Sequence, residues 1–105
     1  MARVLACLPL NEVSAGTTYL SDTFGPVQIQ RNPAGWDELK TDTTQILLFV
    51  EEDFSHTDNI YRLMSCRHFQ YLFFSKAANP RWQGNCGLGR LVDESECFIL
   101  WQVQT

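Results

Sequence analysis

Short apolar runs separated by polar turns dominate the pattern along the chain. Residues 45–50 carry no charge, and residues 97–101 are apolar at every position. Runs of this length are too short for a buried helix and are typical of strands that are buried on both faces. Residues 68–74 alternate in a way that suits a third strong strand. We therefore predict strong strands at 45–51, 68–74 and 97–101, with the last of these central in the sheet.

Weaker patterns predict further strands and two short helices. The additional strands are expected at 3–8, 17–20, 27–30 and 88–92, with a turn at 11–16. Asn32 and Pro33 are residue types that begin a helix, and they would direct Trp36 and Leu39 towards the core. A second helix is predicted at 56–65, where three apolar residues share one face at helical spacing.

These elements together predict the fold class. We expect an α+β protein, a β-rich single domain of residues 1–105 with six or seven mostly antiparallel strands and two short helices. If the helices prove to be turns, an all-β sandwich or barrel is the alternative. The residues expected to be almost fully buried are Ile46, Leu48, Val50, Phe98, Ile99 and Leu100.

Composition and the N-terminal residues bear on where the chain acts. Hydrophobic residues make up 45 % of the chain and charged residues 19 %, which is the composition of a globular domain rather than a disordered one. The first apolar run is interrupted by Pro9 and is shorter than the core of a secretory signal. No stretch reaches the length of a membrane span. We therefore expect a cytoplasmic protein.

The four cysteines predict free thiols. Their spacing contains no Cys-x-x-Cys pair, which argues against a zinc ribbon or a thioredoxin-like site. Without an export signal, reduced cysteines are the default. Cys7 and Cys97 fall within apolar runs and are expected to be buried, whereas Cys66 and Cys86 are the expected exposed pair.

Charge is strongly segregated along the chain. Residues 1–58 hold nine acids and three bases, residues 59–92 hold five bases and no acid, and residues 93–105 hold three acids and no base. Arginine and aromatic side chains are the usual anchors of protein interfaces. The expected partner-binding residues are Arg62, Arg67, Lys76, Arg81, Trp82 and Arg90. The alternative is that the acidic ends pair with the basic segment and that its aromatic side chains are core.

Residues 67–74 partly resemble the longer aromatic signature of the RNA recognition motif. The matching positions are Arg67, Phe69, Tyr71, Leu72 and Phe74. His68 and Gln70 replace two small residues of that signature, and residues 48–50 are similar to the start of the shorter one. In the family a helix and another strand separate the two signatures, whereas about sixteen residues separate them here. Independently of this resemblance, the basic residues interleaved with aromatic ones over 62–90 predict a face that could bind the phosphate backbone and stack the bases of single-stranded nucleic acid.

Candidate catalytic and metal-binding groups are sparse. Cys86 lies in a glycine-rich stretch, and His56 or His68 could act as its base only if the fold brings them together. The acids at 51–53 could hold a hard cation near His56, but a solvated strand end also explains them. We therefore predict a chain that is not an enzyme and has neither a metal site nor another cofactor.

The sequence thus favours a small non-enzymatic domain that occludes a partner protein. Inhibitors and phage-type accessory proteins supply the analogy. Binding of single-stranded nucleic acid is the alternative function. A homo-oligomer is also compatible with the sequence, and no membrane partner is expected.

Overall fold

The computed structural model describes residues 2–31, 36–50, 69–79 and 89–103. These ranges contain seven strands and one α-helix. In chain order they are β1 (Ala2–Leu8), α1 (Val13–Phe24), β2 (Gln28–Arg31), β3 (Trp36–Lys40), β4 (Thr44–Val50), β5 (Tyr71–Ser75), β6 (Gly89–Glu94) and β7 (Phe98–Val103). A single turn of 3-10 helix at Leu10–Glu12 joins β1 to α1.

The seven strands form one mixed sheet in the order β2-β3-β4-β1-β5-β7-β6. β1 lies at the centre and runs parallel to both of its neighbours, β4 and β5. The remaining four pairings are antiparallel. The prediction of a β-rich domain is therefore confirmed. The strand at 97–101, however, corresponds to β7, which lies next to the edge and not at the centre.

Apolar side chains form one cluster on each face of the sheet. The helix-side cluster comprises Val4, Ala6, Leu8, Leu20, Leu39, Ile46, Leu48, Phe73, Phe98 and Leu100. The opposite cluster comprises Leu5, Cys7, Leu47, Phe69, Leu72, Phe74 and Trp101. Successive side chains of β1 alternate between the two clusters. Because an interior parallel strand has no solvated face, its sequence is apolar without interruption from Val4 to Leu8.

α1 occupies the region where the sequence predicts a turn at 11–16 and a strand at 17–20, so both predictions are wrong. The helix buries Gly16 and Leu20 against the sheet. A Cβ atom at Gly16 would clash with the Leu8 side chain, and glycine therefore permits the close approach of α1 to β1. Within the described ranges no helix is long and apolar enough to cross a membrane.

β3 takes the place of the helix that was predicted to begin at Asn32. Its residues pair antiparallel with β2 on one side and β4 on the other. Leu39 points into the helix-side cluster, as predicted, but from a strand. The second predicted helix, at 56–65, lies outside the described residues. The described helix thus stands where neither short helix was expected.

Most of the predicted core is buried. Ile46, Leu48, Phe98 and Leu100 are at most 5 % exposed, and Ile99 is half-buried. Val50 is 43 % exposed, so its predicted burial is wrong. Val50 is the last residue of β4 and pairs with Leu8 at the end of β1.

Neither of the two described cysteines, Cys7 and Cys97, forms a disulfide. Cys7 is buried in the opposite cluster, as predicted. Cys97 is exposed, contrary to the prediction, because it lies in the turn between β6 and β7 and not within the strand. Cys66 and Cys86 lie outside the described residues.

We predict that Leu48→Ala lowers the free energy of unfolding by about 2–5 kcal/mol, because it leaves a cavity in the helix-side cluster. Val50→Ala is the matched control, two residues along the same strand. It should cost less than about 1 kcal/mol, since that side chain is already half-exposed. Urea unfolding of both variants measures the difference. Equal losses would contradict the burial described here.

Candidate functional site

β6 forms one edge of the sheet. It pairs with β7 on its inner side, and no other described strand pairs with its outer side. An edge strand presents outward-pointing backbone N–H and C=O groups to any strand that can pair with it. β2 forms the other edge but has four residues, whereas β6 has six. The longer edge is therefore the stronger candidate for an interaction site.

A β-bulge interrupts the pairing of β6 with β7. Leu91 lies opposite Trp101, whereas Asp93 lies opposite Leu100, so Val92 is an extra residue on β6. A bulge of this kind bends the strand and increases its local twist.

The bulge changes which side chains share a face. Arg90 lies opposite Gln102 and Asp93 lies opposite Leu100. Gln102 and Leu100 are two residues apart on β7 and thus face the same side of the sheet, the side of α1. Arg90 and Asp93 therefore also point to the helix side. In a regular strand, two residues three positions apart would point to opposite faces.

Between these two charges lies an exposed apolar pair. Leu91 is 49 % exposed and Val92 is 46 % exposed. Four consecutive residues thus read basic, apolar, apolar, acidic on the outermost strand. We call residues Arg90, Leu91, Val92 and Asp93 the β6 edge.

Tyr19 fixes the acidic end of the β6 edge to the helix. Its hydroxyl donates a hydrogen bond to Oδ2 of Asp93. Its ring stacks on Phe73 with centroids 5.0 Å apart and lies 5.9 Å from the Phe98 ring. Burial, together with the hydrogen bond and negative charge of Asp93, raises the pKa of Tyr19 to about 12. The phenol consequently remains a donor to Asp93 at neutral pH.

Arg90 holds the basic end of the β6 edge. Its Nε–H donates to Oε1 of Gln102 at 2.7 Å. This bond uses one of the five N–H donors of the guanidinium group, and the side chain is exposed. Arg90 is therefore oriented by its neighbour and can still donate to an incoming acceptor.

Lys76, another predicted binding residue, is engaged within the fold. Its Nζ lies 2.8 Å from Oε1 of Glu94 and donates to the Ser95 carbonyl at 3.4 Å. Because both side chains are about half-exposed, this pair adds at most about 1 kcal/mol to stability. Glu94 belongs to the acidic C-terminal residues, so at this position the acidic end of the chain does offset the basic segment.

The structure does not bring the two described binding candidates together. Lys76 contacts the last residue of β6, whereas Arg90 lies four residues earlier, about 13 Å away at the usual rise of a strand. Four of the six predicted residues lie outside the described ranges: Arg62, Arg67, Arg81 and Trp82.

The described aromatic residues of the basic segment belong to the core. Phe69, Phe73 and Phe74 are at most 2 % exposed, and the half-buried ring of Tyr71 lies 6.0 Å from that of Phe24. Enclosed rings cannot stack on bases. β1 also separates β4 from β5, which carry the two stretches that resemble the RNA recognition motif. These aromatic residues therefore follow the alternative interpretation, in which they are core.

The carboxyl ends of β1 and β5 form a second candidate site, because open sheets with parallel strands often bind ligands there. The Ser75 hydroxyl donates to Oε2 of Glu12 at 2.6 Å and accepts a bond from the Ala78 N–H at 3.3 Å. Ser75 is fully buried. These groups bind one another and fasten the turn after β5 to the start of α1, so their role is structural.

Of the four residues of the β6 edge, only Arg90 is among the residues that the sequence predicts to bind a partner. Leu91 and Val92 fall within the strand predicted at 88–92, and that prediction ends one residue before Asp93. The available signal was the pattern itself, an apolar pair between opposite charges in a short strand.

Known proteins and metal chemistry add no further constraint on the site. In the part of the chain that the structure describes, no three His, Cys, Asp or Glu side chains are grouped so that they could hold a metal ion. The sequence matches no protein-family model, no curated protein and no solved structure.

We predict that the Tyr19–Asp93 bond makes stability depend on pH in the alkaline range. The pKa of Tyr19 is raised from 10.0 to about 12 in the folded state, so the contribution is complete below pH 10 and is lost as the pH rises towards 12. The free energy of unfolding of the wild type should consequently fall more steeply over this range than that of Tyr19→Phe.

Asp93→Asn is the matched control for the cause of this effect. It removes the negative charge but keeps a hydrogen-bond acceptor, and burial is the larger cause of the raised pKa. The slope should therefore lie between those of the wild type and Tyr19→Phe. Urea unfolding at a series of pH values measures all three slopes, and identical slopes for the wild type and Tyr19→Phe would refute the assignment.

Proposed function

We propose that this chain is a small non-enzymatic domain that binds a partner protein along the β6 edge and thereby occludes it. The observation that carries the proposal is the exposed pair Leu91 and Val92 on the outermost strand. Apolar side chains that are half-exposed on an edge strand leave both side-chain surface and backbone groups available for a partner.

Strand addition is the binding mode that suits this edge. An extended segment of the partner would pair with the outer backbone groups of β6, which supplies affinity independent of sequence. The side chains would supply specificity. An acidic residue of the partner would lie beside Arg90 and a basic one beside Asp93, with apolar residues beside the central pair. The partner would thus be blocked along one of its own extended segments.

The nucleic-acid alternative receives no support from the described residues. Its aromatic rings at 69–74 are buried or packed against the core. Among the basic residues of this segment, Lys76 already forms an ion pair with Glu94. We therefore propose that the chain binds a protein and not a nucleic acid.

We predict that a displayed library of random 12-residue peptides yields binders with apolar residues flanked by opposite charges. Leu91→Thr combined with Val92→Thr should weaken their Kd about tenfold or more, because it removes apolar contact area while keeping strand-forming residues. Ile29→Thr is the matched control, since Ile29 is 55 % exposed on the opposite edge and should leave Kd unchanged. Fluorescence anisotropy with labelled peptides measures each Kd.

Two results would refute this assignment. One is a library that yields no binder, and the other is an equal loss of affinity in the β6 variant and in Ile29→Thr. A labelled single-stranded oligonucleotide serves as the second probe. Tight binding of that probe, with an affinity that falls steeply as salt is added, would favour nucleic acid instead.

A further inference from the structure

We infer that the β6 edge also pairs antiparallel with the β6 edge of a second copy of this chain, and that this self-pairing regulates access to the site. Regulation by self-pairing rests on the proposed function, since it requires that a partner uses the same edge. The self-pairing itself does not depend on the proposed function.

The charge pattern of the β6 edge is complementary to itself. Arg90, Leu91, Val92 and Asp93 read basic, apolar, apolar, acidic. When two such strands run antiparallel about a two-fold axis, Arg90 lies opposite the partner's Asp93, and Leu91 lies opposite the partner's Val92. The same contacts recur on the other side of the axis, as in an isologous dimer.

The bulge makes the pairing of the two charged residues in this register geometrically allowed. Residues directly opposite each other in an antiparallel pair must point to the same face of the sheet. In a regular strand Arg90 and Asp93 would point to opposite faces, and the register would be excluded. Because Val92 is an extra residue, both charges point to the helix side, as their partners Gln102 and Leu100 on β7 show. A β-bulge usually protects an edge strand from indiscriminate pairing, whereas this bulge favours one specific pairing.

Both charged groups can engage a second copy without losing their present bonds. Asp93 accepts the Tyr19 hydrogen bond at Oδ2. A carboxylate has two oxygens and about four acceptor sites, so Oδ1 can accept from the partner's Arg90. The hydrogen bond of Arg90 to Gln102 uses Nε, which leaves the terminal amino groups of Arg90 for the partner's Asp93.

The opposite edge of the sheet does not have this property. β2 carries two glutamines, Ile29 and Arg31, with no acidic residue. Self-pairing of β2 would therefore leave each Arg31 without an opposite carboxylate. This contrast selects β6 as the edge that recognises a second copy.

The interface is small, so the dimer should be weak and depend on concentration. Four residues from each copy bury less area than a stable complex requires. Sedimentation velocity of the full chain from about 10 µM to about 1 mM covers the affinity range of such contacts. We expect the sedimentation coefficient to rise from that of a monomer to that of a dimer.

Charge reversal tests the register. Arg90→Glu and Asp93→Arg should each abolish the dimer, because like charges then lie opposite each other. An equimolar mixture of these two variants should form a heterodimer, since the new acid at position 90 of one copy meets the new base at position 93 of the other. The double variant should dimerise with itself. Arg31→Glu is the control with the same change in charge on the other edge, and its dimer should persist.

Rescue by mixing also separates a lost interface from a lost fold, because an unfolded variant could not be rescued. A wild type that stays monomeric at about 1 mM, or a dimer that survives both single reversals, would overturn the self-pairing.

Peptide binding tests the regulation by self-pairing separately from the self-pairing itself. At a fixed concentration of free library-derived peptide, the fraction of chains that carry peptide should fall as the chain concentration rises and the dimer forms. The reason is that the peptide and the second copy compete for one edge. A peptide-bound fraction that does not depend on dimerisation would overturn the regulation by self-pairing while leaving the self-pairing intact. Peptide binding by a chain that never dimerises would leave the proposed function standing and remove only the inference.

Discussion

The enclosure of β1 on both faces and along both edges is the constraint on which the rest of the structure depends. β1 pairs in parallel with β4 over seven residues and with β5 over four. Parallel neighbours cannot be joined by tight hairpins and need longer crossovers. The crossover from β1 to β4 contains α1, which covers one face. Antiparallel pairs then extend the sheet outward from the centre, and β6 is an edge because the last of these pairs, with β7, ends the sheet.

The core also sets the geometry of the candidate site. Tyr19 extends from α1, stacks on Phe73 and holds Asp93, so the acidic end of the β6 edge is fixed by packing against the helix-side cluster. At the other end of β6, a Cβ atom at Gly89 would clash with the Gln102 carbonyl and with the Trp101 ring. Glycine there lets β6 approach β7 closely. The β6 edge is therefore held close to the core at both ends.

Strands buried on both faces could be predicted from the sequence, because such burial leaves a short run without charges, as in β4. α1 could not, because its β-branched Thr17 and Thr18 favour a strand and its contact with the sheet depends on Gly16, whose role is visible only in the fold. These hydroxyls donate to carbonyls four residues earlier, which satisfies them within the helix. The edge position of β6 and the bulge at Val92 follow from strand order and register. Neither property is local, so the charge pattern predicts a binding role for Arg90 without revealing the strand edge on which it lies.

A fully enclosed β1 supports an edge at β6 with which no described strand other than β7 pairs. Amide hydrogen exchange, measured residue by residue in a dilute sample, tests this claim most directly. We predict that the amides from Val4 to Leu8 exchange only through global unfolding, whereas outward-pointing amides of β6 exchange orders of magnitude faster. Uniformly slow exchange along β6 in the dilute monomer, or exchange in β1 as fast as in β6, would contradict the account.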